Sequence, residues 1–407
     1  MLSTIEFHAI FTMYRLPRAL QCRFFSKKAF ELSPEVESAL REKRPVVALE
    51  STIITHGMPH PSNLTTAIAV QDIIRAQNAI PALVAVMNGT IKVGLSNKQI
   101  EELADPKSKA VKTSRRDFPY VISNKLNGGT TVSGTLFVCS SVGIDIFVTG
   151  GIGGVHRDGE VSLDISADLV ELGRHSIMVV SSGVKSILDI ERTLEYLETE
   201  GVCVVTYGSS KNFPAFYSEE SGQLSPYHVM EPHQAAKLLH SSKQIGLDSG
   251  ILLAVPVPNQ FSIDLKEMNT VINLALDAAE QQGINGKNVT PFVLDKVSQL
   301  TKGKSLETNI ALIKNNAHIG AKVAVEYTKL NKMSPPGVPP VIQKDNKRPV
   351  VIGGSVLDCA LTICDELQSR GYRVDYSAAE RWSGEVGIQI EDNKITMCAN
   401  IDTQSYQ

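Results

Sequence analysis

The sequence predicts an α/β fold whose mainly parallel sheet is covered by helices on both faces. From Arg44 to Leu330, short β-branched runs alternate with longer helical segments, an order typical of a parallel sheet. The runs are apolar on both faces, as expected of strands that are covered above and below. Polar clusters follow several of these runs, and ligands of such sheets bind at the carboxyl ends of the strands. We therefore expect these clusters to share one pocket.

The elements follow one another along the chain. The predicted strands are short and rich in valine and isoleucine, and they are Val46–Leu49, Ala82–Met87, Ile144–Val148, Ile177–Ser181, Val202–Thr206 and Ile251–Val255. The longer segments between and after them predict the helices Leu64–Ala76, Val132–Val142, Ser186–Glu200, Pro232–Gln244, Leu265–Gln282, Pro291–Thr301 and Leu306–Leu330. The polar clusters expected in the pocket are Glu50, Asn88-Gly89-Thr90, the glycine-rich run that begins at Gly150, and Lys185.

Composition excludes several classes of protein. The chain has 407 residues, of which 43% are hydrophobic and 20% are charged, as in soluble globular proteins. A net charge of -3 gives no general attraction to nucleic acid or to a membrane surface. No apolar run approaches the length of a membrane span. The six cysteines are scattered without a CxxC pair, which favours reduced thiols in an intracellular protein over a disulfide frame or a zinc site.

The two ends of the chain differ from its centre. Residues 1–30 are rich in arginine and poor in acids, and Arg23-Phe24-Phe25-Ser26 resembles a matrix-protease cleavage site, so this segment predicts a mitochondrial targeting peptide. The alternative is a disordered cytosolic extension. The main domain is then 31–330, followed by a proline-rich linker over 331–348. The segment 349–407 is short for an independent domain, and it turns polar and unpatterned after Asp375.

Carboxylates are concentrated just after the glycine-rich run. Asp164 and Asp168 are four residues apart, so on a helix they would share a face and repel each other unless a cation or a polar ligand lay between them. Oxygen ligands alone would favour a hard divalent ion such as Mg²⁺ or Mn²⁺. The alternative is that Asp164 caps a helix and Asp168 is simply exposed.

Lys185 and Glu50 each follow a predicted strand. Lys185 stands alone among small residues, where loss of water would lower its pKa and free the amine to attack a carbonyl or anomeric carbon. The alternative is a surface lysine that opens a helix. Glu50 is either a core acid with its hydrogen bonds satisfied or a general acid with a raised pKa.

Two further segments suit an anion. Lys112 lies in a basic cluster that could bind a phosphate, although a solvated loop has the same composition. The segment Asn127–Gly134 opens a helix with glycines and hydroxyls, as anion sites do. The Walker pattern GxxxxGK[ST] is absent, and His156 stands where a dinucleotide fingerprint needs its third glycine.

Together these segments resemble the pseudouridine-5′-phosphate glycosidase family, also called pseudouridylate synthases. The resemblance extends from about Glu50 to Leu330. It is carried by ESTIITHGMPHPSN at 50–63, KTSRRD at 112–117, GGTTVSGT at 128–135, the glycine-rich run with LDISADL at 163–169, GVKSILD at 183–189 and TPFVL at 290–294. So many motifs in one order are far more specific than any single motif.

The resemblance implies a fold, a reaction and a set of site residues. The implied fold is that of the family, and the reaction is the reversible cleavage of the C–C bond between uracil and ribose 5-phosphate by a homotrimer with a divalent metal, usually Mn²⁺. Lys185 matches the nucleophile that holds the opened sugar as an imine, Glu50 the proton donor, and Asp164 the residue at the metal. Positions that match substrate contacts are Lys112, the backbone at Val132, Ser166, Ala167, Asp168 and Asn309. There are two rival hypotheses. One is a Schiff-base lyase or aldolase that acts on another sugar phosphate, and the other is an inactive interaction protein.

The chain departs from the family pattern at some positions. The family usually has Asn-Pro where Val255-Pro256-Val257-Pro258 stand, an acid at Asn259, and an acidic pair near Ser210-Lys211-Asn212. The segment Pro349–Asp358 resembles the first strand of a ribokinase-like sugar kinase, with a helix predicted over Cys359–Ser369. Because the chain ends at residue 407 without the Gly-Ala-Gly-Asp anion-hole motif, we expect no kinase activity from this truncated fragment.

Overall fold

A computed structural model describes residues 30–333 except 158, 285, 287 and 288, together with the segments 350–352, 373–375, 386–391 and 394–399. The chain divides into two compact units between Met333 and Ser334. The predicted targeting segment up to residue 29, the linker from residue 334 and the helix predicted over Cys359–Ser369 lie outside the described residues. None of the helices in the described part of the chain has both the length and the apolar character that a membrane span requires.

The first unit alternates strands and helices. Its strands are β1 (Phe30–Leu32), β2 (Val46–Leu49), β3 (Ile80–Met87), β4 (Thr90–Val93), β5 (Val111–Thr113), β6 (Gly128–Thr130), β7 (Ile146–Val148), β8 (Met178–Ser181), β9 (Cys203–Tyr207), β10 (Tyr227–Val229) and β11 (Ile251–Ala254). Its helices are α1 (Pro34–Arg41), α2 (Thr52–Thr55), α3 (Ser62–Ala76), α4 (Asn97–Ala104), α5 (Phe118–Ser123), α6 (Val132–Val142), α7 (Gly159–Ser162), α8 (Ala167–Arg174), α9 (Ile190–Thr199), α10 (Pro232–Gln244), α11 (Leu265–Gln281), α12 (Val289–Leu300) and α13 (Lys304–Met333).

The strands form one sheet of 11 strands. Its order is β1-β4-β3-β2-β7-β8-β11-β9-β10, and β6 pairs with β3 and with β5. Neighbours are parallel except where β4 and β6 run antiparallel to β3. The central strands β2, β7, β8 and β11 are buried at every position, because helices cover them. The predicted α/β class with a mainly parallel sheet is confirmed.

The predicted boundaries hold within about three residues, with one larger departure. Helix α9 begins at Ile190 instead of Ser186, because the Asp189 carboxylate accepts the amide hydrogen of Arg192 at 3.0 Å and caps the helix there. The residues before Asp189 form a loop that pairs with the segment after β7.

The cluster Asn88-Gly89-Thr90 does not join the pocket, so that expectation is wrong. Asn88 and Gly89 both have positive φ, 49° and 77°, and form the two-residue turn of the β3–β4 hairpin, where Met87 pairs with Thr90. Asn-Gly is the preferred sequence for such a turn. These residues therefore serve the backbone of the hairpin.

The second unit, as far as it is described, is a four-stranded sheet. Its strands are β12 (Val350–Ile352), β13 (Arg373–Asp375), β14 (Val386–Glu391) and β15 (Lys394–Ala399), in the order β12-β14-β15-β13. The expectation of an unpatterned segment after Asp375 is wrong, because β14 and β15 pair antiparallel over six residues each. The alternation of apolar and polar residues in these segments is the pattern that predicts strands.

Helix α13 packs against β2, β7 and β8 and supports their carboxyl ends. Asn316 on this helix is fully buried, and its Nδ2 donates to the carbonyls of Thr149 at 2.9 Å and Gly150 at 3.3 Å. Its Oδ1 accepts a hydrogen bond from the Ser182 hydroxyl at 3.2 Å. One amide side chain thus satisfies groups that follow two neighbouring strands, β7 and β8.

This arrangement predicts unequal effects of two neighbouring substitutions. Asn316→Ala removes the hydrogen bonds that Asn316 makes to the Thr149 carbonyl and the Ser182 hydroxyl and should lower the free energy of unfolding by about 2–4 kcal/mol. Asn315→Ala removes one longer bond, from Nδ2 to the Pro256 carbonyl at 3.3 Å, from a half-buried side chain and should cost less than about 1 kcal/mol. Urea denaturation of both variants measures the difference, and equal losses would contradict the assigned role of Asn316.

Candidate active site

The loops that follow β7 and β8 are hydrogen-bonded to each other. The amide of Ser182 donates to the Gly150 carbonyl at 2.8 Å, that of Ile152 to Gly183 at 3.0 Å, and that of Lys185 to Ile152 at 3.0 Å. The parallel pairing of the two strands therefore continues irregularly beyond their ends. As a result, the glycine-rich run and the Lys185 segment keep a fixed register.

A cavity of about 220 Å³ opens at this edge of the sheet. Eight of the nine site residues predicted from the sequence line it, namely Lys185, Glu50, Lys112, Asp164, Ser166, Ala167, Asp168 and Asn309. They come from the ends of β2, β5, β7 and β8 and from α8 and α13. The expectation of one shared pocket is confirmed for Glu50, the glycine-rich run and Lys185.

Val132, the ninth, is buried as the first residue of α6 and its side chain does not line the cavity. The next two amides of the helix both donate hydrogen bonds. The amide of Ser133 donates to Asp168 Oδ1 at 2.8 Å, and that of Gly134 donates to Thr131 Oγ1 at 3.4 Å. Among the described residues, no acceptor is found for the Val132 amide. This amide at a helix N-terminus is the group that Val132 could offer to an anion.

Glu50 lies in a setting that favours its neutral form. The residue is 6% exposed, and its Oε1 accepts a hydrogen bond from the Thr149 hydroxyl. Burial raises the pKa of the Glu50 carboxyl, and the nearby positive charge of Lys185 opposes this rise. A raised pKa favours the protonated carboxyl, which is the form that can donate a proton.

Lys112 shares its charge environment with Lys185. Burial, followed by the like charge of Lys185, lowers the pKa of Lys112 to about 8, while Asp168 and Glu50 oppose the change. The Lys185 side chain is half-buried in a loop and does not open a helix, so the surface alternative considered for it is wrong. The cavity therefore combines two amines with a buried acid.

Asp168 is buried and holds two segments together. Its Oδ1 accepts the amide hydrogen of Ser133 on α6 at 2.8 Å, and its Oδ2 accepts that of Gly153 at 2.9 Å. Space is tight here, since a Cβ on Gly153 would lie 2.2 Å from the Ser166 Oγ. Helix α8 begins at Ala167 with Ser166 as its cap. The predictions that Asp164 and Asp168 share a helical face, that Asp164 is the cap and that Asp168 is exposed are therefore all wrong.

Asp164 precedes α8 and is the more accessible carboxylate. Its side chain is 43% exposed, and Oδ2 lies 3.7 Å from Nε2 of His156. The described residues contain no cluster of three His, Cys, Asp or Glu side chains that could hold a metal. One exposed carboxylate fits a hard divalent ion only if that ion keeps most of its water ligands.

Asn309 presents an unused acceptor to the cavity. The residue is 5% exposed, and its buried Oδ1 has no hydrogen-bond partner among the described residues. Buried polar atoms are nearly always paired, so an unpaired one that lines a cavity is a candidate ligand contact.

Several lining residues were not singled out from the sequence. They are Thr52, His56, Ser114, Arg116, Thr131, Phe216, and Thr290, Pro291 and Leu294 from α12. All of them except Phe216 stand inside the motifs quoted above, and those motifs were the available signal. Phe216 approaches from a segment with no local pattern that predicts a site.

The departures from the family pattern lie around a different cleft, at the ends of β9 and β11. There Asn259 Nδ2 donates to Glu219 at 3.0 Å, and Asn212 Nδ2 donates to Glu220 at 2.5 Å. None of the departing residues lines the cavity that holds Lys185.

The two-sided bonding of Asp168 predicts a stability effect. Asp168→Asn keeps one acceptor oxygen but turns an NH₂ group toward a backbone N–H, so the free energy of unfolding should fall by about 1–3 kcal/mol. Asp164→Asn, at an exposed position with one long contact, should change it by less than about 0.5 kcal/mol. Chemical denaturation checks this, and an Asp168→Asn protein as stable as the wild type would contradict the role assigned to the carboxylate.

Comparisons with known proteins agree with this architecture. Residues 35–326 match the family model described as indigoidine synthase A like protein. The pseudouridine-5′-phosphate glycosidase of Mycoplasmopsis agalactiae is 53% identical over 297 residues, which are 73% of this chain and 98% of that protein. A pseudouridine-metabolizing bifunctional protein of Schizosaccharomyces pombe is 51% identical over 318 residues, which are 78% of this chain but 42% of that protein.

A solved structure extends the similarity to the fold. The prealnumycin C-glycosynthase AlnA, in complex with ribulose 5-phosphate, superposes with a TM-score of 0.69 at 33% identity, covering 75% of this chain and 99% of that one. The matched family model and the relatives of about 50% identity show that the chain belongs to the indigoidine synthase A-like family of pseudouridine-5′-phosphate glycosidases.

Proposed function

We propose that this chain is an enzyme that reversibly cleaves the C–C glycosidic bond of pseudouridine 5′-phosphate to give uracil and ribose 5-phosphate. The observation that carries the proposal is the convergence of Lys185, the buried Glu50 and Lys112 in one cavity. The relatives named as glycosidases of this substrate support it.

A C-glycoside poses a particular chemical difficulty, since carbon is a poor leaving group. A lysine amine solves it by forming an imine with the sugar, which accepts the electrons of the breaking bond. Lys185 follows β8 and faces the cavity that also holds Glu50, so it is the candidate nucleophile.

The ribose ring opens as the lone pair of Lys185 Nζ forms a bond to C1′ and O4′ leaves C1′, and a proton of Nζ passes to O4′, which restores a lone pair on Nζ. Glu50 then gives its proton to C5 of the uracil, and the C1′–C5 bond breaks as the Nζ lone pair forms the C1′=N iminium. Water hydrolyses the iminium, which frees ribose 5-phosphate, and the proton released returns to Glu50 as Lys185 regains its neutral amine.

One wall of the cavity suits the phosphate. Lys112, Arg116 and Ser114 line it beside Thr131, and the amide of Val132, which has no acceptor among the described residues, lies at the N-terminus of α6. Ser166 and Ala167 at the start of α8 line the same cavity. We assign the sugar hydroxyls to Asn309, whose buried Oδ1 needs a donor.

A divalent metal, for which we propose Mn²⁺, belongs near Asp164. Asp164 would hold it largely through water, with His156 beside it. When bound, such an ion supplies positive charge that offsets the negative charge of the substrate. The proposal also includes a homotrimer and, from the composition of residues 1–30, mitochondrial import.

Covalent trapping tests the nucleophile. Wild-type protein with Mn²⁺ and pseudouridine 5′-phosphate should release uracil and, with borohydride present, gain the mass of a reduced ribose 5-phosphate adduct. Lys185→Ala should lose the adduct and more than about 1,000-fold in kcat, since the covalent path depends on that amine. Mass spectrometry and uracil chromatography read both results.

Lys211→Ala is the matched control, because it removes an exposed lysine from the edge of the other cleft and should keep both adduct and activity. An adduct in Lys185→Ala would refute the assigned nucleophile. If folded wild-type protein released no uracil at any metal concentration, the proposed reaction itself would be wrong.

The lowered pKa of Lys112 predicts an alkaline limit. The charged ammonium binds phosphate and is lost as pH rises through about 8, so kcat/KM should fall above that pH. Lys112→Arg keeps its charge and should move this limit upward by at least about one pH unit. Lys107→Arg, at an exposed position shortly before β5 in the sequence, should leave the pH profile unchanged. An unshifted pH profile in Lys112→Arg would contradict this interpretation.

A further inference from the structure

Arg115 lies between two residues that line the cavity, yet its own side chain points elsewhere. Ser114 and Arg116 line the cavity, whereas Nη1 of Arg115 donates to Glu171 Oε1 on α8 at 2.8 Å. The guanidinium also lies 5.6 Å from the ring centre of Phe137 on α6. The short loop after β5 is therefore attached to two helices.

The surroundings of Glu171 favour its contact with Arg115. Its side chain is only 4% exposed, and its second oxygen, Oε2, lies 2.8 Å from Nε2 of His175. Burial opposes the charge of this carboxylate, but its partners His175 and Arg115 hold the pKa of Glu171 below its ordinary value. A buried carboxylate with such partners keeps a fixed position, and so does the arginine that it binds.

Glu171 also stands one turn after Asp168 on α8. Residues three apart share a helical face, and on this face both carboxylates bind neighbouring segments. Asp168 accepts the amides of Ser133 and Gly153, while Glu171 accepts the guanidinium of Arg115. Helix α8 thus fixes the glycine-rich run with one acid and the Lys112–Arg116 segment with the other.

We infer that the Arg115–Glu171 ion pair is a positioning device that holds the anion-binding residues Lys112, Ser114 and Arg116 at the correct distance from the start of α8. The inference rests on the proposed function, because it assigns the phosphate to this wall. The reacting groups Lys185 and Glu50 follow β8 and β2, which lie elsewhere in the sheet. Loss of the pair should therefore weaken substrate binding more than it slows the chemical steps.

Arg115→Met tests this, since it removes the charge from a side chain that is 44% exposed and need not disturb the core. We expect KM for pseudouridine 5′-phosphate to rise about tenfold with kcat changed less than about twofold. Arg115→Lys should recover part of the affinity. Glu171→Gln should reproduce the rise in KM, and the double variant Arg115→Met, Glu171→Gln should be little worse than either single variant.

Arg174→Met is the matched control. Arg174 contacts the same Glu171 oxygen at 3.3 Å, but it lies on the same helix and is 58% exposed, so it links no second element. Its KM should stay within about twofold of the wild type. Equal KM values in Arg115→Met and Arg174→Met, or a fall in kcat without a rise in KM, would overturn the inference.

Calorimetric titration with ribose 5-phosphate separates this inference from the proposed reaction. A weaker affinity in Arg115→Met but not in Arg174→Met supports the ion pair even in a protein that releases no uracil. Uracil release by the wild type together with unchanged affinity in Arg115→Met retains the reaction and rejects the positioning role.

Discussion

The carboxylate of Asp168 is the interaction on which the site depends. It is a buried charge whose two oxygens each accept a backbone amide, one at the N-terminus of α6 and one in the glycine-rich run. Burial of a charge is unfavourable unless hydrogen bonds replace the lost water, and two amides do so here. The Lys185 loop and Asn316 also hold the glycine-rich run through hydrogen bonds to its backbone. Asp168 adds the link from this run to α6, so it joins two sides of the cavity.

Burial also explains why the pKa values of two groups in the cavity shift in opposite directions. Loss of water favours the neutral form of any ionisable group, so it raises the pKa of Glu50 and lowers that of Lys112. Each of these groups moderates the change in the other, and Lys185 acts on both. Asp168 differs from Glu50 because both of its oxygens accept fixed backbone amides. We therefore assign the two acids different purposes, Asp168 as a fixed anchor and Glu50 as the proposed proton donor.

The central strands could be predicted from the sequence because each is a buried run with no polar interruption, and such runs have few alternatives. Strand β6 could not, since it is only Gly128–Thr130 and glycine has low strand propensity. Strand β4 is different, because Asn88-Gly89 before it is the pattern of a hairpin turn. Asp164 and Asp168 were assigned to one helix because spacing alone does not show that Ser166 starts a helix between them. The motifs identified which residues meet in the cavity, but not which of them bond to the protein itself.

Helix α13 shows how this last distinction can be drawn. Asn309 and Asn316 are seven residues apart, which places them on one face of the helix, toward the ends of the strands. Both polar atoms of the Asn316 amide, Nδ2 and Oδ1, make hydrogen bonds within the protein. Asn309 is also buried, but its Oδ1 beside the cavity has no partner among the described residues. An unpaired buried acceptor costs free energy in the empty protein, and a bound hydroxyl would remove that cost. The same residue type on the same face therefore supports the fold at one position and is left free for a ligand at the other.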